Sequence, residues 1–294
     1  SIITLGAVFV GAENFAGENN DQVKDLALTV LLPALVLGAM GLFDDLRSLS
    51  PWPRLIAQTV IGTGVAFVIV ENGTIGTPFG DAGDTSWLNT LVTIVWIVGI
   101  CNSINFFDNL DGGAAGAVAA TSFGLFLIAY DNGQFLISAT AIVIFAAMLG
   151  FLIWNKSPAK IYMGDAGALF LGIIVSVLTI RLNPGINPLW NSIALLPMLL
   201  AVPILDTCIA VFSRIKRGIS PFTGGKDHLS HRLMRKGISK RNTAYCLWAM
   251  QASFVALALV TYKWTASLGT PAIALAGAYW LGAFMWFWRI PSSD

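Results

Sequence analysis

The chain of 294 residues is 56% hydrophobic and only 11% charged, with a formal net charge of +1 and a mean hydropathy of +0.74. Soluble domains carry roughly 25% charged residues, so this composition excludes a soluble globular enzyme, and nucleic acid is not an expected partner. The three cysteines lie far apart in apolar segments, and two histidines are too few for a histidine-rich zinc site.

Ten apolar segments follow in chain order, at 1–12, 26–43, 55–70, 88–107, 112–130, 135–153, 166–182, 190–212, 244–262 and 270–289. Runs of about 20 apolar residues match the hydrocarbon thickness of a bilayer. Most are apolar on all sides, as helices packed among lipid and other helices are. The expected fold is all-α: an integral membrane protein in which about ten transmembrane helices form one polytopic bundle over 1–294. The opening run is too short to span, so a first helix and a loop are expected upstream of Ser1.

Assigning alternate connections to opposite sides puts 14 of the 17 Lys and Arg on one side, nine of them in a basic loop at 213–243. The positive-inside rule makes that side cytoplasmic. Four acidic motifs fall on the same side, so a cytoplasmic active-site cleft is expected. A transporter, the competing reading, would carry polar groups along a route through the bilayer. The mid-span regions here are nearly free of charge.

The first motif, Asp44–Asp45, ends the second segment. Adjacent carboxylates repel unless a cation intervenes. The pair reads either as phosphate-handling acids beside a metal or as a solvated acidic helix cap. Arg54, opening the next helix, reads as a phosphate contact or as a positive-inside anchor. The second motif spaces Asn102, Asn105, Asp108 and Asp111 by three, and its amide and carboxylate oxygens suit a hard cation. The third, Gly164–Gly167, places Asp165 at a helix start, where small residues let a phosphate approach backbone N–H groups; Asp is also a common helix cap. The fourth sets His228, His231 and Arg232 in the basic loop, as ligands for a phosphate or nucleotide or as a patch for anionic lipid. Asp206, inside an apolar segment, needs a partner, and Pro203 is a candidate kink.

In order and spacing, these motifs resemble the polyprenyl-phosphate N-acetylhexosamine-1-phosphate transferase family. The match runs through Asp44–Asp45 with Arg54 to Gln58, then Asn102 to Gly112, Met163 to Gly167 and His228 to Leu233. The resemblance implies an enzyme of the bacterial plasma membrane. It would join a UDP-N-acetylhexosamine to undecaprenyl phosphate with release of UMP, use magnesium (manganese as the alternative ion), and pair as a homodimer. It implies metal ligands at Asn105 and Asp165 and lipid-phosphate handling by Asp44 and Asp45. Asp108 and Asp111 would be catalytic, Asp111 also in the nucleotide pocket. Arg54, Asn102, His228, His231 and Arg232 would bind substrate. The branch using UDP-MurNAc-pentapeptide shows three consecutive histidines. The pattern around His228 and His231 is closer to the UDP-GlcNAc branch. Ser230 stands where His is frequent, Gly113 where Leu is usual, and Arg54 replaces Lys, keeping the charge but not its geometry.

Overall fold

The computed structural model describes residues 20–71, 86–222 and 224–292. Its helices are α1 (Asn20–Leu26), α2 (Leu32–Arg47), α3 (Pro51–Glu71), α4 (Ser86–Phe107), α5 (Gly113–Asp131), α6 (Phe135–Asn155), α7 (Gly164–Arg181), α8 (Leu189–Leu199), α9 (Ala201–Lys216), α10 (Leu229–Arg235), α11 (Lys240–Lys263) and α12 (Thr270–Trp288). Nine of the ten predicted segments lie among these residues, and each is helical; the segment at 1–12 lies outside them. Among the described residues, eight helices are long and apolar enough to cross a membrane, or nine with the bent pair α8–α9 as one span. The protein is thus an all-helical, multi-pass membrane protein.

Prolines explain the irregular turns. π-helical turns at Ala27–Leu31 and Thr265–Gly269 precede Pro33 and Pro271, which cannot donate to the carbonyl one turn earlier. The predicted span at 190–212 is not straight. It breaks by 68° at Leu200, between α8 and α9. Pro203 leaves the Leu199 carbonyl without its helical donor, and unpaired backbone is not tolerated at membrane depth. Three neighbouring helices satisfy the break. Leu199 O accepts from Thr121 Oγ1 of α5 at 2.6 Å and from Gln251 Nε2 of α11 at 2.8 Å. The Val202 amide donates to Gln251 Oε1 at 3.0 Å. Trp280 Nε1 of α12 donates to the Ala201 carbonyl at 3.1 Å.

The centre of the bundle is α5 and α7, whose faces are buried nearly all round, while α6 and α12 lie at the periphery. Small residues let these helices approach closely. A Cβ on Gly41 would lie 2.4 Å from the Asp165 carbonyl oxygen, so α2 and α7 touch backbone to backbone. One end of the bundle gathers the termini that carry the acidic motifs. The other is tied by Arg181 of α7 on Asp25 of α1, by Asn132 on the Asn183 carbonyl, and by Lys263 on Asp131 at 2.7 Å.

Replacing Gln251 with Leu keeps the volume but strips the Val202 amide of its partner. The expected loss is about 1–3 kcal/mol, read as a lower melting temperature of the detergent-solubilised protein; unchanged melting would remove Gln251 from the account of the bend.

Candidate functional site

Two helix ends meet head to tail. Asp44 and Asp45 close α2, where carbonyls point outward and a negative charge is unfavourable. The chain then reverses through Ser48, a non-glycine residue at φ 49°, and the Leu49 amide bonds to Asp44 Oδ1. Asp45 reaches the first turn of α7, where Oδ1 accepts from the Asp165 amide at 2.9 Å and Oδ2 from the Ala166 amide at 3.1 Å. A carboxylate at a helix N-terminus is favourable, so the cap reading of this pair holds for Asp45, on α7 rather than on its own helix. It also fills the backbone amides expected to receive a phosphate. Gly164 is demanded twice. Its φ is 64°, and a Cβ there would sit 2.6 Å from Asp45 Oδ2.

Arg54 of α3 sits between the acids. Its Nη1 lies 2.8 Å from Asp44 Oδ2 and also contacts Asp165 Oδ2. Asn105 Nδ2 of α4 donates to Asp165 Oδ1 at 2.7 Å. Four helices thus place Asp44, Asp45, Arg54, Asn105 and Asp165 in one cluster. Asn102 stands one turn deeper, its amide nitrogen bonded to Gln58 Oε1 at 2.6 Å and to the Val98 carbonyl at 2.8 Å. Asp108 follows the last turn of α4. Burial, then the charges of Asp165 and Asp45, push its carboxyl up to about 7, so it too feels the cluster.

Asp111 serves the neighbouring loop, where Oδ2 accepts from the Ala159 amide at 3.2 Å. The turn it shares with Gly112 is fixed on both sides. The Gly112 amide donates to Asn155 Oδ1 at 2.9 Å, and its carbonyl accepts from Trp248 Nε1 at 2.9 Å. Asn155 also donates to the Ile161 carbonyl at 2.8 Å, which holds the α6–α7 loop.

The basic loop docks on this turn. His228 is buried, with Nδ1 2.7 Å from Asp206 Oδ2 and Nε2 3.2 Å from Arg214 Nη2. Asp206 Oδ1 accepts from the Leu229 amide at 2.7 Å. Asp227 pairs with Arg214 Nε at 3.1 Å and with Arg217. Ser230, in the place often held by His, donates to Asn109 Oδ1. The His228 ring meets Phe106 edge-on at 6.1 Å and lies 5.9 Å from His231. Burial, then the neighbouring His228, holds His231 below its usual range, which favours its neutral form. Arg232 departs from expectation. It is 1% exposed and donates to the carbonyls of Asp227, Phe287 and Ile290 and to Ser213 Oγ. These contacts anchor α10 to α9 and α12, and its charge is spent on structure rather than on a phosphate.

Sequence reasoning left the partner of Asp206 open and treated Arg214 as one cation among nine. Both are buried parts of the hub that positions His228. The signal was an acid in an apolar segment eight residues before a base, but its partner lies across a loop and only folding brings it near. Among the described residues, no three of His, Cys, Asp and Glu converge closely enough to hold a metal ion by themselves. The oxygens of Asn105 and Asp165 nevertheless suit magnesium, which takes one or two carboxylates and completes its shell with water and substrate phosphate.

A bundle of apolar helices with an acidic, arginine-bridged cluster at one end defines a multi-pass membrane protein with a polar site at the end of its spans. Residues 27–183 match glycosyl transferase family 4, and the chain belongs to that family. It is 34% identical to a probable undecaprenyl-phosphate N-acetylglucosaminyl 1-phosphate transferase of Bacillus subtilis, over 86% of this chain and 71% of the relative. It is 28% identical to an undecaprenyl-phosphate alpha-N-acetylglucosaminyl 1-phosphate transferase of Salmonella typhi, over 88% and 71%. It is 29% identical to a decaprenyl-phosphate N-acetylglucosaminephosphotransferase of Mycobacterium tuberculosis, over 93% and 74%.

Gly41→Ala tests the helix contact behind the cluster. The new methyl meets backbone of α7, which cannot swing aside as a side chain does, and it forces α2 and α7 apart. Turnover is expected to fall at least tenfold while the protein still elutes as a folded species. Full activity would show that the register of Asp45 on α7 is not needed.

Proposed function

We propose that this chain transfers N-acetylglucosamine 1-phosphate from UDP-GlcNAc to a polyprenyl phosphate, undecaprenyl phosphate in bacteria, giving a lipid diphosphate sugar and UMP. The observation that carries the reading is the convergence of Asp44, Asp45, Arg54, Asn105 and Asp165 at one end of the bundle, in a chain whose relatives bear that activity in their names. The names of the relatives favour GlcNAc over a MurNAc-pentapeptide donor. We further propose that this end faces the bacterial cytoplasm, where nucleotide sugars are made, as the positive-inside distribution supports. The working form would be a homodimer.

The reaction joins an oxygen of the lipid phosphate to the β-phosphorus of the UDP-sugar and breaks the bond from that phosphorus to the bridging oxygen, which leaves with UMP. Such transfers need alignment and charge neutralisation more than a strong base, and the attacking phosphate monoester is already anionic. Magnesium, when bound, would neutralise the diphosphate, with Asn105 and Asp165 holding it. Arg54, relieved of Asp165, would turn its fork to the incoming lipid phosphate. Asp45 keeps α7 in place and Asp44 orients Arg54. Asp108 and Asp111 line the nucleotide side, and His228 and His231 close over the sugar phosphate. We favour direct attack over an aspartyl-phosphate intermediate, because Asp45 is committed to backbone amides and Asp44 to Arg54 and the Leu49 amide.

The test is a donor panel of UDP-GlcNAc, UDP-GalNAc and UDP-MurNAc-pentapeptide with undecaprenyl phosphate and magnesium, scored for UMP. UDP-GlcNAc should dominate, and Asp165→Asn should lower turnover at least a hundredfold with the protein intact. Release of UMP only from the pentapeptide donor, or undiminished turnover in the variant, would refute the assignment.

A second expectation concerns pH. An ionised Asp108 adds negative charge that favours a cation bound beside the cluster, and its carboxyl lies near 7, so turnover should rise as pH increases through about 7. Asp108→Asn should be slower and lose that rise. A wild-type profile flat between pH 6 and 8 would remove Asp108 from the rate-governing ionisations.

A further inference from the structure

A cavity lies at the other end of the bundle, away from every acidic motif. It occupies about 460 Å³ between the first turns of α4, the α7–α8 connection and α8. That volume is in the range of small-molecule sites, about 300–1,000 Å³. One face of α4 supplies Asn89, Thr93 and Trp96 at helical spacing, and among the described residues no charged side chain lines the space. Its walls are held from outside. The Asn183 carbonyl accepts from Asn132, which caps the end of α5, the Asn183 amide donates to Gln134 Oε1 at 3.0 Å, and the Asn187 carbonyl accepts from Thr265. The site therefore exists before any ligand arrives.

The polar groups of this lining are mostly spent. Trp96 Nε1 donates to Thr179 Oγ1 at 3.1 Å, Ser192 Oγ donates to the Ile186 carbonyl at 3.0 Å, and Asn183 Oδ1 accepts from the Gly185 amide at 3.2 Å. Asn89 differs. It is 3% exposed, and neither its amide nitrogen nor its amide oxygen has a partner among the described residues. A buried amide left unpaired is strongly unfavourable, and in native proteins such a group calls for a specific reason. The transferase reading does not use it, because it stands at the far end of α4 from Asn105.

We infer that this cavity binds one neutral amphiphile, an alkyl chain bearing a hydroxyl or amide head that both gives and takes a hydrogen bond at Asn89. The absence of lysine and arginine from the lining speaks against a phosphate head. The unspent amide speaks against a bare hydrocarbon. The position, at the membrane end opposite the acidic cluster, suits entry from that leaflet. The inference does not rest on the transferase assignment.

The experiment uses the full chain in maltoside detergent with 1-monolauroylglycerol as probe, followed by native mass spectrometry and by thermal melting. The wild type should retain one probe molecule and melt several degrees higher with it. Asn89→Leu should bind the probe at least tenfold more weakly, and should melt above the wild type without probe because the unpaired amide is gone. Ile193→Trp, which fills the cavity from α8 and leaves Asn89 intact, should also lose the probe; this variant decides the matter if Asn89→Leu does not fold. UMP release should be unchanged in both. Wild-type retention of probe by Ile193→Trp or by folded Asn89→Leu, or equal stabilisation of the wild type by dodecane, would overturn the proposal.

Discussion

Everything at the acidic end depends on one electrostatic constraint: the C-terminus of α2 and the N-terminus of α7 are brought end to end with carboxylates between them. Asp45 lends its charge to the two leading amides of α7, and Arg54 stands between Asp44 and Asp165. Three carboxylates so close would repel without a cation. The Arg54 guanidinium supplies one. Burial first, and then the same crowding, explains why Asp108 holds its proton to about 7.

The constraint reaches into packing. Arg54 can bridge Asp44 and Asp165 only because α2 and α7 touch at Gly41, and Asp45 can cap α7 only because Gly164 has no side chain. The loop side is built on a different principle. There, His228, Asp206, Arg214 and Asp227 form a buried network in which each charge has a partner. Buried ion pairs add little net stability once desolvation is counted, but they fix geometry. Phe106 and Asn109 carry that geometry to the acidic turn, through the ring contact with His228 and the hydrogen bond from Ser230.

The bent pair α8–α9 shows how a membrane protein accommodates broken backbone. Pro203 removes one donor, and Thr121 and Gln251, polar residues at helix–helix contacts, supply replacements. The bend directs α9 so that Asp206 meets His228 and Arg214 meets Asp227. A proline fifteen or so ångströms of helix away from the loop thereby helps decide where the loop lies, at roughly 1.5 Å of rise per residue.

The sequence by itself determined the solvent, the spans and the chemistry. Apolar runs of bilayer length fix helices because backbone groups cannot go unpaired in hydrocarbon, and clusters of Asp, Asn and His at span ends mark where charge is tolerated. Helix boundaries were legible to within a few residues, from 88–107 against Ser86–Phe107 to 244–262 against Lys240–Lys263. What only the tertiary structure decided was who pairs with whom. That Asp45 caps a helix 120 residues onward, that Arg232 turns inward, and that Asn89 is left without a partner all depend on contacts between helices distant in the chain. Local pattern carries the period of a helix and the polarity of its ends; it does not carry the rotation of one helix against another, and that rotation selects the partner of each buried polar group.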